Sequence, residues 1–225
     1  MIKSPNLVSW WRMEGNSNDA SGSGYNGTDT SMTYGSSYGK FGQGADFNGT
    51  TSYIELPLLM IGNNTSPRSI SAWVYPTGST STTIYDIFHS AAYSGTDGEI
   101  TLHYVGQGNG NVQFVIESNN GTTNYSATSG NYAVNNWYHV VGTIAANGVS
   151  YIYVNGVQVG SQLTTYTPFY TGAPIAYDYS RLGADNYSTV GSWFAGYLDE
   201  VLLFKKVLTQ SEIQSLMMNF SPAEI

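Results

Sequence analysis

Ten short runs of β-forming residues, each closed by a cluster of Gly, Asn, Ser, Thr or Pro, constrain the fold of this chain more than any single motif. They fall at 7–13, 52–56, 69–75, 83–89, 100–105, 112–117, 137–144, 150–154, 181–184 and 193–204. Runs of this length, alternating or continuously apolar and with no 3.6-residue period between them, are strands. YIYVNGVQV is the sharpest local signal, because Asn155-Gly156 supplies the two positive φ values of a type I′ turn and so predicts a two-residue hairpin. A single short helix is expected at the C-terminal end, where Thr209 and Glu212 form a capping box and Ile213, Leu216 and Met217 form one apolar stripe. No linker, charge block or repeat divides the 225 residues. The expectation is therefore one domain, residues 1–225 with a core of about 7–217, built all-β as a two-sheet antiparallel β-sandwich that the helix packs against.

Composition sorts the classes of partner. Fifteen acids against seven bases give a formal charge of -8, which repels phosphate backbones, so nucleic acid is excluded as a partner. No run approaches the ~18 apolar residues of a membrane span, so no membrane insertion is expected. Cysteine is absent, which removes disulfides and thiolate metal sites and leaves the compartment open. Nineteen tyrosines and 26 glycines beside a charged fraction of only 10% suit a secreted or surface β-protein. An extracellular or surface-exposed location is expected, although the short apolar run between Pro5 and Arg12 is no signal sequence.

Two motifs fail the context their chemistry needs. Gly22, Gly24 and Gly27 spell G-x-G-x-x-G, but neither a buried strand before it nor a helix after it is legible, so a pyrophosphate cradle is not supported. Gly35-Ser36-Ser37-Tyr38-Gly39 matches G-x-S-x-G with the same defect. His89, His103 and His139 stand singly in separate strands, without the spacing of a zinc site. Glycosidase chemistry needs two carboxyls facing one bond, and on a single strand only Asp97 and Glu99 qualify. Strict alternation puts Asp199 on the face of Tyr197, Val201 and Leu203, and Glu200 on that of Leu198, Leu202 and Phe204. A carboxylate on an apolar strand face requires a cation or several donors, so Arg12, Arg181 or a metal is expected beside at least one of them.

NLVSWWRMEGNSNDASGSGYNGT, GKFGQGADFNGTTSYIEL, SISAWVYP, NNWYHVVGTIAANGVSYIYVNGVQV, SRLGAD and FAGYLDEVLLFKKVLTQSEI resemble, in order, successive segments of laminin-G-like domains of the concanavalin A-like lectin/glucanase superfamily. The resemblance spans roughly residues 7–213 and implies a jelly roll. It also implies calcium (Ca²⁺) held by carboxylates of Asp19 and Asp199, the amide oxygen of Asn26 and the backbone carbonyl of Gly24, a hard-oxygen set suited to that ion. The alternative is a metal-free turn in which Asp19 caps its own backbone.

The same resemblance implies a non-catalytic glycan-binding module, with carbohydrate as the partner. A protein–protein adhesion or virion-surface module that meets a receptor protein is the alternative. A glucanase-type hydrolase would need a Glu-x-Asp-x-x-Glu-like strand, which is absent. For ligand contact the densest aromatic segment is LTTYTPFYTGAPIAYDYSR. From it Tyr166 and Tyr170, joined by Trp193, are expected to form a stacking platform, with Asp178 or Asp185 accepting hydroxyl hydrogen bonds. The competing expectation is that these aromatics cover the sandwich's own edge.

Overall fold

The structure, a computed structural model, describes residues 5–57, 67–91, 100–119, 124–163, 179–185 and 190–219. Among the described residues the chain runs through β1 (Leu7–Trp11), β2 (Thr28–Thr30), β3 (Thr33–Gly35), β4 (Gly44–Asn48), β5 (Tyr53–Leu56), β6 (Arg68–Pro76), β7 (Ile84–Ala91) and β8 (Ile100–Gly106). It continues through β9 (Asn111–Asn119), β10 (Asn124–Ala133), β11 (Tyr138–Ile144), β12 (Ser150–Val154), β13 (Val157–Gln162), β14 (Tyr179–Leu182) and β15 (Ala195–Phe204) to one helix, α1 (Gln210–Asn219).

These strands form two antiparallel sheets. One has the order β13-β12-β11-β6-β15-β4-β3 with β1 added on β15, and the other β10-β9-β8-β7-β14-β5-β2. The two-sheet sandwich with one short C-terminal helix is thus present. β6 reads RSISAWVYP and is buried at all but one position, as befits a strand flanked on both sides by β11 and β15. Its Ile70, Ala72 and Val74 belong with Phe114 and Ile116 of β9 to the core between the sheets. A second apolar cluster lies against α1, where Leu208, Ile213 and Leu216 meet Val141, Tyr153, Leu202 and Phe204. The helix therefore covers part of one sheet's outer face.

Local signals read as expected where the chemistry is local. Asn155 and Gly156 adopt φ of 50° and 76° between β12 and β13, and Thr209 and Glu212 exchange the two bonds of a capping box. Several strands escaped the ten-run reading: β2, β3 and β4, which carry little apolar length of their own, and the largely polar β10, all specified by their partners.

One expectation is corrected. The register of β15 against β6 slips between Asp199 and Leu202, and Glu200 takes φ of 49°, which marks a bulge. The extra residue puts Leu198 in the same intersheet cluster as Val201 and Leu203, while Leu202 and Phe204 turn to the helix side. The face assignment from unbroken alternation therefore does not hold at Asp199 and Glu200.

Candidate functional site

β14 lies between β5 and β7, so Arg181 stands directly opposite Glu55 on one neighbour and His89 on the other. On β5, Ile54 and Leu56 point into the core, which leaves Tyr53 and Glu55 on the outer face. Arg181 meets both: its Cζ lies 4.8 Å from the Tyr53 ring centre, and its Nη2 is 3.5 Å from Glu55 Oε2. Its Nη1 donates to the Asp185 carbonyl at 2.8 Å. Trp193 adds a second ring, with its centroid 6.0 Å from that of Tyr53. Glu55 is exposed while Arg181 is largely covered, so the guanidinium acts as a fixed, neutralised centre against the half-buried Tyr53 ring, which Trp193 flanks.

Asp185 holds this corner together from below. It is buried, its Oδ1 accepts the Gly191 N–H at 2.7 Å, and its own N–H donates to the Gly191 carbonyl at 3.1 Å. Its carboxylate thereby braces the segment that carries Trp193. Beside Arg181, the buried pair His89 and Asp86 approach to 3.4 Å, and burial raises the Asp86 carboxyl above its usual value despite the histidine. Trp193 also borders an open groove of about 460 Å³, lined in part by Gly49, Thr80, Thr82, Thr83 and Ser192.

Asp19 and Asp199 sit in different cradles. Asp19 Oδ1 accepts the N–H groups of Trp10 at 3.0 Å and Ser21 at 2.9 Å, and Oδ2 accepts that of Tyr25 at 3.0 Å. Burial opposes the charge of Asp19, yet these donors together hold its carboxyl below the ordinary value. Asn26 Oδ1 accepts the Asp19 N–H at 2.9 Å. Asp199 Oδ2 accepts the N–H groups of Lys40 and Phe41 at 2.9 and 2.8 Å, while its Oδ1 is buried with no hydrogen-bond partner. Glu200 takes the Trp10 indole N–H and lies 3.6 Å from Arg12 Nε, so the expected cation stands beside one carboxylate of the pair. Burial pushes both carboxyls up to about 7.

A family model described as "Laminin_G_3: Concanavalin A-like lectin/glucanases superfamily" matches residues 47–214. The chain belongs to this family. No curated protein sequence matches it as a relative. Among solved structures, domain 4 of AbnA, an extracellular GH43 arabinanase from Geobacillus stearothermophilus, in complex with arabinotriose, is similar at 24% identity and a TM-score of 0.74, over 95% of this chain and 98% of that one. The binding domain of Paraclostridial Mosquitocidal Protein 1 is similar at 16% identity and a TM-score of 0.70, over 98% of this chain and 53% of that one. Trypanosoma rangeli sialidase, solved with 2,3-difluoro-KDN, is similar at 16% identity and a TM-score of 0.69, over 97% of this chain and 33% of that one. This laminin-G-like chain therefore spans about half of the toxin's binding domain and a third of the sialidase; at these identities the likeness carries the fold.

In this laminin-G-like chain, two of the expected ligand residues, Trp193 and Asp185, are brought into one corner, the first facing it and the second bracing it. Tyr166, Tyr170 and Asp178 lie outside the described residues, as do Asp97 and Glu99. Tyr53, Glu55 and Arg181 were not singled out for the site. The alternation in YIEL marks an outer face for the first two, but nothing local says that Arg181 lies across from them. Gly27 explains part of the glycine spacing by packing: a Cβ there would come within 2.3 Å of Ile54 Cγ2 and 2.7 Å of Ser17 Oγ. Gly22 and Gly24, with φ of 79° and 85°, make the turn that aims N–H groups at Asp19. Of the side-chain oxygens proposed for calcium, those of Asp19 and Asn26 accept backbone N–H groups, as in a capped turn, and Asp199 Oδ1 is the one left free. No three His, Asp or Glu side chains among the described residues cluster as metal ligands.

Proposed function

We propose that this laminin-G-like chain is a non-catalytic glycan-binding module working outside the cell or at its surface. The observation that carries the proposal is the corner of Trp193, Tyr53, Arg181 and Glu55, where aromatic faces stand beside an exposed carboxylate and a fixed guanidinium. Sugars are bound this way, by ring stacking on the apolar face of the pyranose or furanose and by hydrogen bonds to its hydroxyls. Family membership supports it, as does the likeness to a domain of an extracellular arabinanase solved with arabinotriose. Calcium belongs to the same proposal, with Asp199 Oδ1 as its anchor and Asp19, Asn26 and Gly24 as further oxygens. A buried carboxylate oxygen without a donor is neutralised by a proton or by a cation.

A glycan array probed with the parent chain and with Trp193→Ala and Tyr53→Ala tests the proposal. The parent should bind a glycan class, and each variant should lose at least tenfold in affinity, about 1.4 kcal/mol, with its melting temperature within a few degrees of the parent. An array without bound glycan, or variants that bind like the parent, would overturn it.

A further inference from the structure

Trp193 belongs to two features. It stands beside Tyr53 in the guanidinium corner, and it lines the groove bordered by Thr80, Thr82, Thr83, Ser192 and Gly49. Both walls of the groove are braced by backbone hydrogen bonds. On the threonine wall, Thr82 N–H donates to the Gly106 carbonyl at 3.0 Å, Gly106 N–H to that of Thr83 at 3.0 Å, and Gly108 N–H to that of Ser79 at 2.6 Å. A Cβ at Gly106 would fall 2.1 Å from the Thr80 carbonyl oxygen, so only glycine lets these two loops close. On the opposite wall, Asp86 N–H donates to the Ser192 carbonyl at 2.8 Å, and the Asp185 carboxylate fixes Gly191.

Each wall also holds one strained residue. Thr82 and Ser192 adopt φ of 60° and 48°. For a β-branched residue such as Thr82 this conformation is an outlier, and strain of this kind persists only where the surroundings over-determine it, which is most often at ligand sites. Thr80, Thr82, Thr83 and Ser192 offer hydroxyls that both donate and accept, and among the described residues no charged side chain lines the groove. Arg181, the cation of the corner next door, is already matched by Glu55.

We propose that this groove is a second saccharide subsite, continuous past Trp193 with the guanidinium corner, and that the ligand is a neutral oligosaccharide of more than one unit. The inference rests on the glycan-binding reading and adds ligand length and charge to it. A neutral chain fits because paired hydroxyls satisfy hydroxyl donors and acceptors without an ion, whereas a uronate or sulfated unit would meet no cation among the described lining residues of an acidic protein's groove.

Isothermal titration of the whole chain with arabino-, xylo- and gluco-oligosaccharides, from mono- to tetrasaccharide, and with galacturonic acid oligomers of matching length tests it. Affinity should rise at least tenfold from mono- to trisaccharide in a neutral series, and the neutral trimer should bind at least tenfold tighter than its uronate counterpart. Thr82→Gly removes the hydroxyl while favouring the observed backbone, so it should reduce trisaccharide affinity toward that of the monosaccharide without lowering the melting temperature. Binding that is indifferent to length, equal for uronates, or unchanged in Thr82→Gly would overturn the subsite, while its loss in Trp193→Ala would leave the glycan reading standing. Binding of no saccharide would overturn both.

Discussion

His139 and the pair Asp199 and Glu200 show how burial on the outer face of one sheet sets charge. His139 is buried beside Trp73, with its Nε2 2.9 Å from Ser71 Oγ, and burial drives its pKa down to about 4. The native state thus binds that proton more weakly than the unfolded chain, whose histidine titrates at the ordinary 6.5. His139 contributes stability that is fully present above that value and is lost as pH falls toward about 4. Asp199 and Glu200 are raised to about 7, so the stability linked to their protons is lost as pH rises through much the same span. The parent's pH curve sums opposite slopes, and only a comparison of variants separates them. Calorimetry between pH 7 and pH 4.5 should show a smaller loss of melting temperature on acidification in His139→Gln than in the parent, whatever its value at pH 7. Equal slopes would mean that His139 takes up its proton equally in the native and unfolded states, so that burial does not lower its pKa.

At the scale of elements, the parts legible in the sequence are those whose cause is local. The Asn155-Gly156 hairpin and the Thr209–Glu212 box each need only a few neighbouring residues to be specified, and both formed. β2, β3, β4 and β10 were missed because pairing with β5, β4, β15 and β9 respectively specifies them, and the bulge at Glu200 because the groups around it, Trp10, Arg12 and the Lys40–Phe41 turn, are distant in sequence. Helix α1, at ten residues, is too short to persist alone, so its stability should come from the packing of Ile213 and Leu216 more than from its cap. Thr209→Ala should cost about 0.5–2 kcal/mol, and Ile213→Ala about 2–5 kcal/mol through the cavity it leaves. In a domain this size each kcal/mol lowers the melting temperature by about 2–4 °C. A thermal melt in which Thr209→Ala is the worse of the two would show that the cap, not the packing, holds the helix.

For the whole molecule, the candidate site and the calcium proposal share one property: each joins segments far apart in sequence. Tyr53, Arg181 and Trp193 meet only because β14 inserts between β5 and β7, which no spacing in the chain announces. The calcium set likewise couples the turn at Asp19 to the bulged strand at Asp199, so an ion held there binds the folded chain and not the unfolded one. Such an ion stabilises the fold by about 2.7 kcal/mol at a hundred times its dissociation constant, which is about 5–10 °C in melting temperature here. Scanning calorimetry of a sample stripped with EDTA, before and after Ca²⁺ is restored, should show that gain in the parent and lose it in Asp199→Asn. The amide keeps the size of the carboxylate and removes its charge, so the fold survives while the hard anionic donor does not. An unchanged melting point on adding Ca²⁺ to the parent would leave Asp19 as a cap on its own turn and Asp199 neutralised by a proton, and a variant that gains as much as the parent would take Asp199 out of any calcium site.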